Sequence, residues 1–190
     1  DPTVWPAVQI NFTGAGPSAL QACKSANNIL NLFANETSEF WQDAGTPDFP
    51  FASIPGSAQK FGLASAWSLC EYDNSLAGLF KNTMGEVNVS RMSGFRLQQI
   101  STPELDYIIN QYSSTADAQA YGYMNGGHPM YQIGFPSAGK TWEFDGFSNA
   151  WGERQSPSGG RYWGLKFANF QGRRLVSDYR NGNIYVIDPT

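Results

Sequence analysis

The sequence predicts an all-β, β-propeller-like fold of about four four-stranded antiparallel blades with one connecting helix. Short apolar stretches alternate with a period of two residues, as half-buried strands require. Turn dipeptides such as Asn125-Gly126 and Asp145-Gly146 separate these stretches and supply the positive φ angles of tight hairpins. Aromatic residues make up 15 % of the chain and charged residues only 15 %, which favours strands over helices. A four-stranded meander of about 40 residues matches the size of one propeller blade.

Length and charge limit the classes of function. We expect the 190 residues to form a single propeller-like domain that is part of a longer chain. A net charge of −4 provides no basic field for nucleic acid or anionic lipid, so we expect no sequence-specific nucleic-acid binding and no membrane association. Cys23 and Cys70 could pair, but without any further disulfide framework they are expected to be buried free thiols.

The N-terminal third contains the first predicted blade. Thr3–Ile10 is apolar but contains a proline, which predicts an edge strand. Asn11–Lys24 is rich in small residues and is predicted to be a loop. Asn28–Ala34 and Thr37–Asp43 alternate around a turn at positions 35 and 36 and form the first hairpin, after which Phe49–Pro55 returns as an extended segment.

The second predicted blade spans about residues 63 to 100. Leu63–Tyr72 and Ser75–Lys81 are predicted to form a hairpin over Asp73-Asn74. A second pair of strands, Glu86–Met92 and Arg96–Ile100, is predicted to turn at positions 93 and 94.

A helix then interrupts the strands, from Thr102 to Tyr112. Ser101-Thr102-Pro103-Glu104 combines a hydroxyl cap, an early proline and a capping-box glutamate. The apolar residues that follow have the i, i+3, i+4, i+7 spacing of one helix face: Leu105, Ile108, Ile109 and Tyr112. The helix is expected to connect the second and third blades.

The C-terminal half contains the most regular pattern. The third blade is predicted from four strands: Ala118–Met124, His128–Phe135, Lys140–Asp145 and Ala150–Gln155. The fourth shows three: Gly160–Ala168, Arg173–Asp178 and Asn183–Asp188. Because the fourth blade lacks a strand, Thr3–Ile10 is predicted to complete it and close the ring.

The sequence predicts no catalytic, cofactor-binding or metal site. His128 is the only histidine, and its place beside Gly126-Gly127 and Pro129 indicates a hairpin end. The two cysteines and this histidine have no metal-ligand spacing. Positions 134–141 match the phosphate-binding string Gly-x-x-x-x-Gly-Lys-Thr, but they lie between two predicted strands with no helix to follow.

A carbohydrate-active propeller is the alternative that the residues leave open. Acids at strand ends could supply a glycosidase pair across blades: Glu143, Asp145, Glu153, Asp178 and Asp188. Phe51–Pro55 is similar to the Phe/Tyr-Arg-Ile-Pro motif of sialidases, with Ser53 in place of the arginine. Trp142, Trp151 and Trp163 could stack sugars as in lectins, although their positions in alternating strands favour the core between blades.

Several phrases resemble the podovirus tail-hub family, also called packaged-DNA stabilisation proteins. They run through most of the chain in the family's order: Thr37–Gly45, Asp48–Phe51, Ile54–Gly56, Arg96–Thr102, Gly127–Tyr131, Phe135-Pro136, Thr141–Asp145, Trp151–Arg154 and Val176–Tyr185. Members are longer than this chain, so the resemblance implies the C-terminal blades of a hub protein.

The resemblance implies a structural phage or prophage protein that seals the portal and adapter after DNA packaging. Its expected partners are other tail proteins (adapter, needle and tailspike) and further copies of itself. Its expected location is the virion tail, with assembly in the host cytoplasm. No catalytic residue carries over from the family, which agrees with the absence of any convergent polar constellation in the sequence. The alternative is a sialidase-like or lectin-like propeller.

Overall fold

The computed structural model describes residues 18–47 and 49–187, which form four antiparallel sheets in chain order and one α-helix. Sheet 1 contains β1 Leu20–Ala26, β2 Ile29–Ala34, β3 Ser38–Asp43 and β4 Phe51–Ser53. Sheet 2 contains β5 Gly62–Leu63, β6 Cys70–Tyr72, β7 Ser75–Lys81, β8 Val87–Ser93 and β9 Arg96–Gln99, and α1 spans Pro103–Asn110. Sheet 3 contains β10 Gln119–Asn125, β11 His128–Phe135, β12 Lys140–Asp145 and β13 Ala150–Glu153. Sheet 4 contains β14 Gly164–Phe170, β15 Arg173–Asp178 and β16 Ile184–Val186.

The predicted architecture is confirmed, with four sheets of meander topology and a helix between sheets 2 and 3. The strands β7, β11, β12 and β15 have the predicted bounds, because turn residues delimit each of them on both sides. Among the described residues, sheet 4 has three strands, as predicted. The predicted closing strand Thr3–Ile10 lies outside the described residues.

The predicted loop Asn11–Lys24 is wrong in its second half, because β1 begins at Leu20 and pairs with β2. Its side chains alternate between exposed and half-buried, and the half-buried ones include Ala22 and Ala26, which are small. An edge strand with such a weak apolar face is held by its ladder to β2 rather than by its own hydrophobicity.

The predicted strand Leu63–Tyr72 is also wrong, because a 3₁₀ turn at Ala66–Ser68 divides it into β5 and β6. Both halves pair with the same neighbour, β7. The hydroxyl of Ser68 accepts a hydrogen bond from the Leu79 amide at 3.0 Å, so a side chain replaces the ladder acceptor that the interruption removes. Sheet 2 therefore keeps four strand positions, the first of them interrupted.

The helix begins one residue later and ends two residues earlier than predicted. Its cap is Thr102, whose Oγ1 accepts a hydrogen bond from the Leu105 amide at 3.3 Å. Ser101 does not cap the helix, because its buried hydroxyl instead bonds both backbone groups of Val89 in β8. Leu105 and Ile109 face the core as predicted, while Ile108 is exposed.

Three apolar clusters fill the junctions between successive sheets. Phe33 and Phe40 of sheet 1 pack against Leu63 and Phe80 of sheet 2. The largest cluster joins sheet 2 and α1 to sheet 3. The third is smaller and joins Tyr121, Tyr123 and Met130 of sheet 3 to Val176 of sheet 4.

A glycine lies at each junction; at the first two it allows two backbones to approach closely, and at the third it faces side chains. A Cβ on Gly62 would lie 2.0 Å from the Asn35 carbonyl oxygen of sheet 1, and one on Gly122 would lie 2.1 Å from the Glu71 carbonyl oxygen of sheet 2. At the third junction, a Cβ on Gly164 would lie 3.0 Å from the Tyr121 hydroxyl. These distances leave no room for a side chain larger than hydrogen.

Candidate functional site

The four sheets follow one another in an arc. Their first strands lie side by side and form the inner row of this arc. Lys24 of β1 and Glu71 of β6 are joined by an ion pair at 3.5 Å. β6 lies against β10 through the close approach of Gly122, and β10 contacts β14. The arc therefore has an inner edge built from β1, β6, β10 and β14.

Each inner strand ends in a two-residue hairpin turn with positive φ at both central residues, the pattern of type I′ turns. We call these four turns the turn rim: Asn27-Asn28, Asp73-Asn74, Gly126-Gly127 and Gln171-Gly172. All eight residues are exposed. The φ angles at Asn27, Asn28, Asp73 and Asn74 lie between 46° and 61°, which asparagine and aspartate tolerate better than most side chains.

The four turns lie at one end of the arc. The first two, with Met124 and Pro129 of sheet 3, line a cleft of about 660 Å³. The Asn27 side-chain amide donates to the Asn74 carbonyl at 3.2 Å and joins the first turn to the second. Arg174, near the fourth turn, donates to the Met124 carbonyl at 3.0 Å and to the Asn125 side-chain oxygen at 2.7 Å. These bonds hold neighbouring turns in a fixed relation.

The cleft at the first two turns carries little free charge, whereas Arg173 and Arg174 follow the fourth turn. Asp73 pairs with Arg91 at 3.0 Å, and Glu71 pairs with Lys24 at 3.5 Å. The remaining exposed groups are mainly amide side chains and backbone, with Met124 as an apolar neighbour. Such a surface offers hydrogen bonds and shape to a polar protein partner, but no cationic field for phosphate.

Three of the predicted carboxylates, Glu143, Asp145 and Glu153, line one open cleft of about 370 Å³ on sheet 3, while Asp178 lies apart from them on sheet 4. Each of the four that the structure describes is paired with a basic side chain on its own sheet or turn: Glu143 with Arg154, Asp145 with His128, Glu153 with Lys140, and Asp178 with Arg180. Asp188 lies outside the described residues. Within residues 18–47 and 49–187, no three His, Cys, Asp or Glu side chains are grouped so that they could hold a metal ion.

The Glu143–Arg154 pair is part of a structural network between sheets 3 and 4. The Tyr123 hydroxyl donates to Glu143 at 3.0 Å, and the Arg154 guanidinium also bonds Tyr123 and lies 4.4 Å from the Tyr162 ring centroid. Burial, followed by the charge of Glu143, raises the pKa of Tyr123 to about 12. Arg154 thus links the sheet to the segment that leads into sheet 4.

His128 begins β11 at a hairpin end, as predicted. Its Nδ1 lies 3.0 Å from Asp145, and its ring stacks on Phe147 at a centroid distance of 4.5 Å. At Asp145, burial acts to raise the pKa, but hydrogen bonds from His128, the Phe147 amide and Ser148 outweigh it and lower the pKa to about 2. The arrangement fixes the β12–β13 turn.

The phosphate-binding string is a hairpin. β11 ends at Phe135, a four-residue turn follows, and β12 begins at Lys140 with no helix after it. The helix N-terminus that would hold a phosphate is therefore replaced by a strand, as predicted.

Two of the three tryptophans belong to the core between sheets. The Trp142 indole donates to the Tyr112 hydroxyl at 3.0 Å, and the Trp151 indole donates to the Ile100 carbonyl at 2.7 Å. The prediction for Trp163 is wrong, because it precedes β14 and the Arg180 guanidinium covers its ring at 3.5 Å. All three are thus engaged within the protein, which leaves them poorly placed to stack sugars.

Both cysteines are free, as predicted. Cys70 is buried, but the predicted burial of Cys23 is wrong, because its side chain lies on the exposed face of the edge strand β1. Burial raises the pKa of the Cys70 thiol to about 12.

An aromatic contact that the sequence did not indicate joins sheets 2 and 4. Trp67, 65 % exposed, lies under Lys166 of β14, whose Nζ is 5.2 Å from the ring centroid.

No helix in the described part of the chain has the length and apolar character needed to cross a membrane.

Comparison with protein families gives a match over residues 1–190 to the phage-stabilisation model described as bacteriophage P22 Gp10, beta-propeller. A search of curated proteins found no match.

Proposed function

The chain belongs to the bacteriophage P22 Gp10 family of phage stabilisation proteins, and we propose that it seals the portal and adapter after DNA packaging by docking through its turn rim. The family is one of structural tail proteins rather than enzymes, so the sialidase-like alternative is wrong. The partners that we propose are the adapter at the turn rim, with the needle, tailspike and further copies on other surfaces.

The observation that carries this proposal is the grouping of four type I′ turns at one end of the arc. Two-residue turns of this type are rigid, and hydrogen bonds from Asn27 and Arg174 fix neighbouring turns relative to one another. Because the turns are already held in place, this surface loses little conformational entropy when it binds a ring-shaped partner. The paired charges of Asp73 and Glu71 favour a protein over DNA at the cleft of the first two turns.

We also propose that these sheets are part of a longer propeller. Sheets 1, 2 and 3 are each covered on one face by the next sheet in the chain. The corresponding face of sheet 4 carries Phe170 and Ile184, which are 61 % and 66 % exposed, together with Val186. The opposite face contains the buried Val176. Because each sheet covers a face of the sheet before it, we propose that a further blade of the same propeller covers this exposed face of sheet 4.

Glycine substitutions in the turn rim test the proposal. Glycine adopts positive φ freely, so changing Asn27, Asn28, Asn74 and Gln171 together to glycine removes the side chains and preserves the turns. We expect an unchanged far-UV circular dichroism spectrum and at least about tenfold weaker binding to a purified portal–adapter assembly, since several interfacial hydrogen bonds are lost. Virions that carry this variant should lose DNA on mild heating.

Asn149→Gly is the matched control. Asn149 is exposed and has a φ of 55°, but it lies in the β12–β13 turn, which joins the two outer strands of sheet 3 and is not part of the turn rim. It should bind the portal–adapter assembly as the native protein does. Native affinity in the fourfold rim variant would show that the rim is not the docking surface.

A further inference from the structure

Arg161 lies between sheets 3 and 4 and contacts both. Its guanidinium carbon is 4.3 Å from the Tyr179 ring centroid on the sheet 4 side. Its Nε is 3.5 Å from the point that a Cβ of Gly134 in β11 would occupy. Burial lowers the pKa of this guanidinium, against the opposing effects of Tyr179 and Asp117. Within the described residues, the buried Nε–H has no hydrogen-bond partner.

A second unpartnered group faces the same point. The Thr141 hydroxyl of β12 is 3.6 Å from the Cβ position of Gly134, and the two residues are directly paired across the β11–β12 ladder. Thr141 is 1 % exposed, and its Oγ1 has no partner among the described residues. The buried Gln132, two residues from Gly134 on the same face of β11, has an unpartnered side-chain oxygen.

We propose that an ordered water molecule occupies the space in front of Gly134 and bridges Arg161 Nε to Thr141 Oγ1. The water accepts from the Arg161 N–H and donates to the threonine hydroxyl, and its second hydrogen is directed along the polar row towards Gln132. Buried polar groups almost always have a partner, and a buried water needs two to four polar contacts, which these residues supply. Glycine at position 134 is what leaves the room.

This water ties Arg161 to sheet 3 and thereby holds the segment that leads into sheet 4. Arg161 forms an isolated bridge with Gln155, so it anchors the return of the loop that follows β13. The site is independent of the turn rim and does not rest on the proposed function.

Gly134→Ala tests for this water, because the water determines whether the substitution raises or lowers the melting temperature. Gly134 does not have a positive φ, and the nearest atoms to an added methyl lie at 3.5 to 3.9 Å, which is ordinary contact. In a strand with such space, alanine normally stabilises relative to glycine and should raise the melting temperature by roughly 1–4 °C. A displaced water would instead leave Arg161 and Thr141 without a partner, so we expect the melting temperature to fall by at least about 2–4 °C.

Gly134→Ser is the matched variant, because its hydroxyl can replace the water. We expect its melting temperature to exceed that of Gly134→Ala. Thr141→Val should lower the melting temperature of the native protein but have little further effect in the Gly134→Ala background. A higher melting temperature for Gly134→Ala than for the native protein, or additive effects of Gly134→Ala and Thr141→Val, would overturn the proposal.

Discussion

Gly122→Ala tests whether glycines set the spacing of the sheets. Gly122 lies in β10, where sheet 3 approaches β6 of sheet 2. The new Cβ would be 2.1 Å from the Glu71 carbonyl oxygen and 3.2 Å from its carbon. Both atoms belong to the backbone, so no side-chain rotation relieves the overlap. Sheets 2 and 3 must move apart.

The size of the effect follows from this overlap. A normal carbon–oxygen contact requires the sheets to separate by roughly 1 Å, and a gap of that size forfeits about a quarter to a half of the dispersion energy of each contact. The junction holds the largest apolar cluster of the described residues. Overpacking of this kind costs about 1–3 kcal/mol, against which alanine in a strand gains roughly 0.5–1 kcal/mol. We expect the free energy of unfolding to fall by about 1–2 kcal/mol and the melting temperature by about 2–8 °C.

Thermal and urea unfolding followed by circular dichroism measure this loss. Gly152→Ala is the control, because Gly152 also lies in a strand, β13, and an added Cβ there meets no atom within 4 Å. The control should be as stable as the native protein or slightly more stable. If Gly122→Ala and Gly152→Ala unfold at the same temperature, the close approach of β6 and β10 does not determine the packing of the sheets.

Three further predictions concern single groups. The pKa of Asp145 is lowered to about 2, so its contribution to stability is complete above about pH 4 and is lost as the pH falls towards 2; Asp145→Asn should flatten the dependence of melting temperature on pH in this window. Because burial raises the pKa of Cys70 to about 12, a thiol reagent at pH 8 should modify only Cys23 in the folded protein and both cysteines in denaturant. Asn110 bonds both backbone groups of Val87, at 3.0 and 2.8 Å, so Asn110→Ala should lower the free energy of unfolding in urea by about 1–3 kcal/mol.

Strand positions were predictable where turn residues delimit an alternating stretch. Lys140–Asp145 is such a case, because Gly139 and Gly146 flank it and Trp142 and Phe144 mark one face. β1 was not predictable in this way, since its ladder to β2 rather than its own pattern makes it a strand. The division between β5 and β6 depends on Ser68 reaching the Leu79 amide, which is a contact between segments that no local pattern encodes.

The turn rim was predictable only in part. Asp73-Asn74 and Asn125-Gly126 are turn signals in the sequence, and Gly172 belongs to a third. Asn27-Asn28 was not predictable as a turn, because the small residues before it alternate too weakly to indicate a strand. The common location of the four turns follows from the parallel course of the inner strands, which is set by how the sheets pack. Trp67 was missed for a similar reason, as its contact with Lys166 spans sheets 2 and 4.

The three sheet junctions differ in what holds them together. The first two are closed mainly by buried phenylalanine, leucine and other apolar side chains. The third has only a small cluster around Tyr121 and Val176, and it relies on the guanidinium groups of Arg154 and Arg161. Arginine contacts need matched partners at fixed positions, whereas apolar contacts tolerate small shifts. Sheet 4 is therefore attached by fewer and more directional contacts than its neighbours, while its opposite face exposes Phe170. A blade or partner that covers this face would supply the apolar burial that the third junction lacks, so docking and stabilisation of sheet 4 would be the same event.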